Sequence, residues 1–548
     1  MKTADSIGNN LIQQLYDHGV RHVFGVTGDY VLGFYDQLTH SKLEVITTCD
    51  EQGAGFAADA YARIQGLGVV CVTYGVGGLK VVNTTAQAYA EKSPVVVISG
   101  APGTKERVKN PLLHHKVRDF DTQLKVFEQI TVASTVLNNS LRASSEIHRV
   151  LSAALRYKRP VYIELPRDMV TSAIIHHDIQ EIPEESDPDA LKEALEEAVR
   201  MINSAKKPVI IAGEEIQRFG LRDELLQLLT KTNMRVAATI LSKSVISEYH
   251  PLYLGVYAGG IGNDSVREYV ESSDCLIILG ALMSDVNLGM FTAQIDQGRA
   301  IYITSEELSI RYHKYEDVRI EDFLRGLKDS LPYNEAPMEW RSDIPHPEPP
   351  EVFSPVKGRK ITVQRLFQCI DSFLNPGVVV TADPGDALFG ALDLVIHKGT
   401  EFLSPAYYAS MGFAVPASIG AQMANPALRP LVLVGDGAFQ MTGMELSTAV
   451  RYHLNPIVIV LNNRGYGTER VMLDGPFNDV LPWEYSRIPE ILGGGMGFLI
   501  ENEEQLYDAL KVAGRYKEAF CILDVRLDTN DRSPALQRIT DLMAKLVR

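Results

Sequence analysis

Short, continuous apolar runs recur along the chain and alternate with stretches patterned at helical spacing. In the first third the runs fall at 23–26, 69–72, 95–98 and 161–165. Helix-patterned stretches cover 6–20, with Ile7, Leu11, Leu15 and Val20, and 31–38. The last third repeats this, with runs at 378–380, 431–434 and 457–461 and a helix-like segment from about 441 to 453. The middle adds a helix pattern at 190–205 and runs at 208–213, 275–280 and 300–304. Runs that are apolar throughout, instead of alternating, are expected of strands buried on both faces of a parallel sheet. Strand and helix in alternation predict an α/β fold of three doubly wound domains with mainly parallel sheets.

Two stretches break the pattern. Residues 176–189 are acidic and carry Pro183 and Pro188, which reads as a linker. Between Pro332 and Pro355 lie seven prolines, a composition that neither a helix nor a central strand accepts. The expected units are therefore 1–178, 190–330, a proline-rich linker at 331–355, and 356–548. At 548 residues the chain is too long for a single core, which agrees with several domains.

Composition narrows the function. Lys and Arg total 53 against 69 Asp and Glu, a net charge of −16, which disfavours nucleic acid or an anionic membrane surface as partner. No apolar run approaches the length of a membrane span, and the first residues lack the apolar core of a signal peptide. Cys49, Cys71, Cys275, Cys369 and Cys521 are scattered and form no CxxC pair, as in a reduced cytoplasmic protein. No GxGxxG opens a helix after the first strand, which argues against a dinucleotide site there.

The chemistry concentrates between Gly435 and Arg470. One apolar run ends in Gly435-Asp436-Gly437 and the next in Asn462-Asn463-Arg464-Gly465, so a carboxylate and a carboxamide sit 27 residues apart at two strand ends. Hard oxygen ligands of this kind suit Mg²⁺, which prefers a few protein oxygens together with ligand phosphates. The adjoining glycines let backbone amides approach a diphosphate. Spacing alone is equally that of an ordinary βαβ unit with two glycine turns.

GDG followed by NN resembles the thiamine-diphosphate (ThDP) signature of the pyruvate decarboxylase-like enzymes, and the resemblance runs over almost the whole chain. Residues 48–63 are similar to the family's conserved-glutamate helix, which implies that Glu51 contacts the aminopyrimidine ring of ThDP and promotes the tautomer that deprotonates the thiazolium. Residues 24–29 resemble an F-G-x-P-G-D turn with Thr27 in place of proline, and identify Asp29 as an active-site acid. His114-His115 match the paired histidines of the decarboxylase branch, and 88–102 match a strand-and-turn segment. Gly75 and Lys80 depart from the pattern, and the resemblance gives no account of Lys80. In the last third the resemblance implies that Asp383, Gly385 and Asp386 approach the diphosphate and thiazolium, and that Met411 is the apolar wedge that bends ThDP. Asp436, Asn463 and the Gly465 carbonyl would bind Mg²⁺, with Gly435, Gly437, Ala438 and Tyr466 in the cofactor loops. Glu469 matches an active-site glutamate.

The implied reaction is non-oxidative decarboxylation of a 2-oxo acid to aldehyde and CO₂, with the cationic thiazolium accepting the electron pair. Leu388 and Thr468 stand where paired aromatics would narrow the pocket, and 438–443 and 121–127 look most like phenylpyruvate and indolepyruvate decarboxylases. A bulky aryl or branched substrate is expected. An acetolactate-synthase-like carboligase or oxidase of the same superfamily is the alternative, against which His114-His115 and Glu469 argue; a non-catalytic ThDP-binding protein is a third. The family meets its two cofactor domains across subunits, which implies a homodimer sharing active sites and, as a dimer of dimers, a homotetramer.

Overall fold

In a computed structural model, which describes residues 6–175, 185–336, 338–339 and 341–547, the apolar runs pair into three sheets. Most of the acidic linker stretch (176–184) and Pro337 of the proline-rich stretch lie outside the described residues. The first sheet runs Glu44–Thr47, His22–Gly25, Gly68–Val72, Val95–Ala101, Val161–Pro166, Ala133–Val136 in spatial order, all parallel. The third runs Glu401–Leu403, Val378–Ala382, Arg429–Gly435, Ile457–Asn462, Cys521–Arg526, Met496–Ile500, again all parallel. Both follow one winding, in which the chain reverses direction between its first and third strands. In open parallel sheets that reversal leaves a crevice beyond the strands' C-terminal ends, where ligands bind. The middle sheet is parallel except for an antiparallel edge of Leu308–Ile310 and His313–Tyr315. Three α/β domains with mainly parallel sheets are thus what the chain forms.

The helix after Arg429–Gly435 starts earlier than its apolar pattern suggests. It begins at Asp436, pauses in a 3-10 turn at Gly443–Glu445 and resumes over Leu446–Arg451. Gly435 is still extended, and Asp436 Oδ1 accepts from the Gly437 amide at 2.8 Å, so the carboxylate closes the first turn directly off the strand.

The helix Glu51–Gln65 is capped by Asp50, whose side chain accepts from the Gln52 amide at 2.8 Å, and ends at left-handed Gly66. Its small residues serve close packing: a Cβ on Gly420, in Ala414–Ala424, would fall onto the Ala57 carbonyl. First and third domains are thereby joined backbone to backbone within one chain.

A buried ion network ties all three domains at this joint. Arg63 pairs with Asp59 and Glu91, each at 2.8 Å, and donates to the Ser404 carbonyl at 3.1 Å. The other oxygen of Glu91 accepts from the Tyr407 and Tyr408 amides at 2.8 Å. Lys92 reaches Glu215 at 3.0 Å and Glu306 at 2.7 Å in the middle domain. Removing one member of a buried pair strands the other's charge, at a cost of roughly 3–5 kcal/mol. Glu91→Ala is accordingly expected to lower the stability of the folded chain by about that much, read as a fall in the denaturant midpoint, with a smaller fall for Glu91→Gln.

Candidate active site

Beyond the strand ends of the third sheet lies a cavity of about 460 Å³. The turn after Val378–Ala382 contributes Gly385 and Asp386; Gly385 has φ +89°, a conformation that suits glycine, and the space beside it leads to Thr468. Asp386 is held at the cavity edge because its carboxylate accepts from the Ser533 amide, at 3.0 Å to Oδ1, and burial pushes it up to about 6. Met411 enters from a sharp turn in which Ala409 and Gly412 both have positive φ. The next strand supplies Gly435, Asp436, Gly437 and Ala438, and the one after it Asn463, Gly465, Tyr466, Thr468 and Glu469.

The Asp436 side chain is the most informative group. It is buried; Oδ1 takes the Gly437 amide, while Oδ2 is shut off from solvent with no hydrogen-bond partner among the described residues. Burial pushes this carboxyl up to about 6, against the pull of the Gly437, Arg464 and Gly465 amides. A buried oxygen without a donor needs a cation or a strong donor to satisfy it. The donor set of a carboxylate, the Asn463 amide and backbone oxygens fits Mg²⁺.

Two sequence-predicted residues lie elsewhere. Asp383 is fully buried and spends its carboxylate on the Gly412, Phe413 and Ala414 amides, at 2.7, 3.1 and 3.0 Å, capping the helix behind Met411. Leu388 is 2% exposed and faces the core; its neighbour Phe389, one step round the same helix turn, lines the cavity instead. Further residues complete the wall: Asp285, Val286 and Met290 from the middle domain, and Leu536, Ile539 and Met543 from the last helix, Pro534–Val547, within the stretch of roughly 533–548 that the family resemblance implies lines the site. The i, i+3, i+7 spacing of those three marks a helix face but not what that face meets. That of the middle-domain residues carried no local signal.

The first domain gathers a second cluster. His114 Nε2 lies 2.9 Å from Asp29 Oδ2, and the His114 ring stacks on Tyr30 with centroids 4.7 Å apart. His115 meets the His114 ring edge-on at 4.8 Å, and its Nδ1 lies 3.2 Å from the Tyr74 carbonyl, which can only accept, so Nδ1 carries the proton. His115 is held at φ +66° against Gly75, itself at φ +70°, where a Cβ would strike the His115 carbonyl. That contact accounts for the glycine at position 75. Glu51 sits in the first turn of its helix, 13% exposed, with Lys80 Nζ 2.9 Å from Oε2. None of Asp29, Glu51, His114 and His115 lines the cavity. One chain therefore presents two separate groupings on different domains, a cavity with the buried Asp436 carboxylate and a cluster of Asp29, His114 and His115.

Family profiles agree with this layout. The thiamine pyrophosphate enzyme N-terminal TPP-binding domain matches residues 5–124, the central domain 195–326 and the C-terminal TPP-binding domain 388–525. The chain is 35% identical to an indole-3-pyruvate decarboxylase of Azospirillum brasilense, over 100% of this chain and 99% of the relative. It is 31% identical to pyruvate decarboxylase 1 of Arabidopsis thaliana, over 97% and 90% of the two chains. It is also 31% identical to an alpha-keto-acid decarboxylase of Mycobacterium leprae, over 98% and 95%. With all three domains matched in order and relatives aligned end to end, the chain belongs to the thiamine-diphosphate-dependent 2-oxo acid decarboxylase family.

Proposed function

We propose that the protein decarboxylates 2-oxo acids with bulky aryl or branched side chains, in the cytoplasm, as a Mg²⁺-dependent homodimer, paired further into a homotetramer, in which each site is completed by two subunits. The observation that carries this is the cavity itself. It is lined both by Asp436, with its orphaned oxygen, and by the apolar side chains of Met290, Phe389, Leu536, Ile539 and Met543. Apolar side chains in this lining suit a large apolar substrate group, and Thr468 leaves room beside Gly385. An indole-3-pyruvate decarboxylase among the relatives supports the aryl preference. The unpaired state of all five cysteines suits a reducing compartment. Among the described residues no helix is long and apolar enough to cross a membrane.

In this reading Asp436, Asn463 and the Gly465 carbonyl hold Mg²⁺. Gly435, Gly437, Ala438 and Tyr466 would frame the diphosphate, Gly385 and Asp386 would border the thiazolium, and Met411 would support the cofactor from the cavity wall. Bound ThDP supplies the electron sink for carbon–carbon cleavage. Glu51 of the second subunit meets the ring nitrogen, and Asp29, His114 and His115 with Glu469 orient the substrate carboxylate and move protons. The apolar wall excludes water, which favours a step in which charge is lost.

Subunit sharing has a distinctive test. Glu51→Gln and Asp436→Ala strike opposite half-sites, so in a hybrid dimer both defects fall in one site and the other is intact. Co-expressed in equal amounts, the two crippled variants are expected to recover roughly a quarter of wild-type activity by random pairing. Sites built within one chain would show no recovery.

A further inference from the structure

Lys80 is the departure from the family pattern that the proposed reaction does not use. It lies in the 3-10 turn Gly78–Val81, and its ammonium is 2.9 Å from Glu51 Oε2 and hydrogen-bonded to Asp50, the cap of the Glu51 helix. Among the described residues it is the one cation ion-paired with Glu51. The remaining groups facing this corner are acidic or neutral. Glu445, from the third domain, accepts the Cys49 and Asp50 amides at 3.1 and 3.0 Å, and burial pushes its carboxyl up. Cys49 lies beside Glu445, Tyr35 faces Glu51, and Tyr452 takes the Thr47 amide at 2.8 Å. Asp50 and Glu51 hold the Lys80 amine above its ordinary range, so the charge is permanent at neutral pH.

We propose that Lys80 is a positioning residue that fixes the Glu51 carboxylate by one oxygen and weakens its hold on a proton at the ring nitrogen of bound aminopyrimidine. The inference rests on Glu51 being the carboxylate that meets that nitrogen. A carboxylate shared between an ammonium on Oε2 and a protonated ring on Oε1 brings two positive charges close together, and like charges at that range disfavour the second protonation. Lys80 thus lets the ring release its proton at lower pH than Glu51 alone would allow. Loss of one proton from the protonated ring gives its neutral state, and the imino tautomer of that state is the one whose exocyclic nitrogen can act as a base. The Lys80 side chain is 49% exposed, so solvent screening reduces the effect.

The test uses the full-length protein loaded with ThDP and Mg²⁺ and follows the protonation of the bound aminopyrimidine by its circular-dichroism signal across the neutral pH range. Lys80→Met, which keeps the stem and removes the charge, is expected to raise the midpoint by about one pH unit. Lys80→Arg, which restores the charge, should return the midpoint to that of wild type. Lys80→Gln gives the same reading should the methionine variant fold poorly, and melting curves report folding separately. A purely structural role would move the melting curve and leave the ring titration in place. A methionine or glutamine variant that binds ThDP and titrates with wild type would overturn the proposal alone. Failure of the wild-type protein to bind ThDP would overturn the reading of the site, and this proposal with it.

Discussion

Asp436→Ala is expected to abolish metal-dependent ThDP binding and, with it, decarboxylation. The loss in metal affinity should be on the order of a thousandfold, because a charged ligand is removed from a buried site and nothing nearby can replace it. The same substitution should leave the cofactor-free protein at least as stable as wild type. The sign follows from the raised carboxyl, about 6 against an ordinary 3.8. Below the ordinary value the group is protonated in both folded and unfolded chains and costs nothing. From there to about 6 the unfolded chain releases its proton first, and above that range the buried charge costs the fold a few kcal/mol, an order-of-magnitude figure. Among the described residues Oδ2 has no hydrogen-bond partner to offset this. Thermal melts with and without ThDP and Mg²⁺ separate the two effects: wild type should gain stability from the additives, whereas the variant should start no lower and gain nothing. A variant that is still stabilised by the cofactor pair would remove Asp436 from the metal site.

Glu51→Gln acts on the other half-site and should behave differently. Loss of a positioned acid–base group lowers turnover by roughly 10²–10⁴-fold. The residues proposed to hold the diphosphate and metal belong to the third domain and are untouched, so ThDP binding should persist. The amide is close in shape to the carboxylate, and the Gly53–Glu445 contact and the Asp50 cap, which fix the start of the helix, remain. The expected outcome is a fall in kcat with KM for the 2-oxo acid and the ThDP-induced melting shift largely preserved. Unchanged turnover would show that Glu51 is not the group that activates the cofactor.

How much of this was legible in the sequence depended on whether a feature was local. Strands buried on both faces announce themselves as apolar runs, and Gly68–Val72, Val95–Ala101, Val161–Pro166 and Ile457–Asn462 formed where those runs lie. Met496–Ile500 at a sheet edge has a mixed burial pattern and carried no such signal. That Asp436 and Asn463 share one cavity was legible because a strand end places each in a fixed local setting. The walls were not: Asp386 holds the Ser533 amide across 147 positions, and Met290 reaches the cavity from another domain. Leu388 and Phe389 show the finest limit, since adjacent positions on a helix face different ways and only packing decides which meets the cavity. Gly75 looked anomalous until the backbone of His115 was seen to need its space.

The central claim is that the cavity decarboxylates 2-oxo acids with large side chains, and aldehyde formation measures it most directly. Purified protein with ThDP and Mg²⁺ is to be given pyruvate, 2-oxoisovalerate, phenylpyruvate and indolepyruvate in parallel, and kcat/KM determined for each from aldehyde released. The account predicts turnover that requires both ThDP and Mg²⁺ and a higher kcat/KM for the aryl and branched acids than for pyruvate. Pyruvate as the best substrate would contradict the assignment of the apolar wall, and no aldehyde from any of the four would contradict the account as a whole.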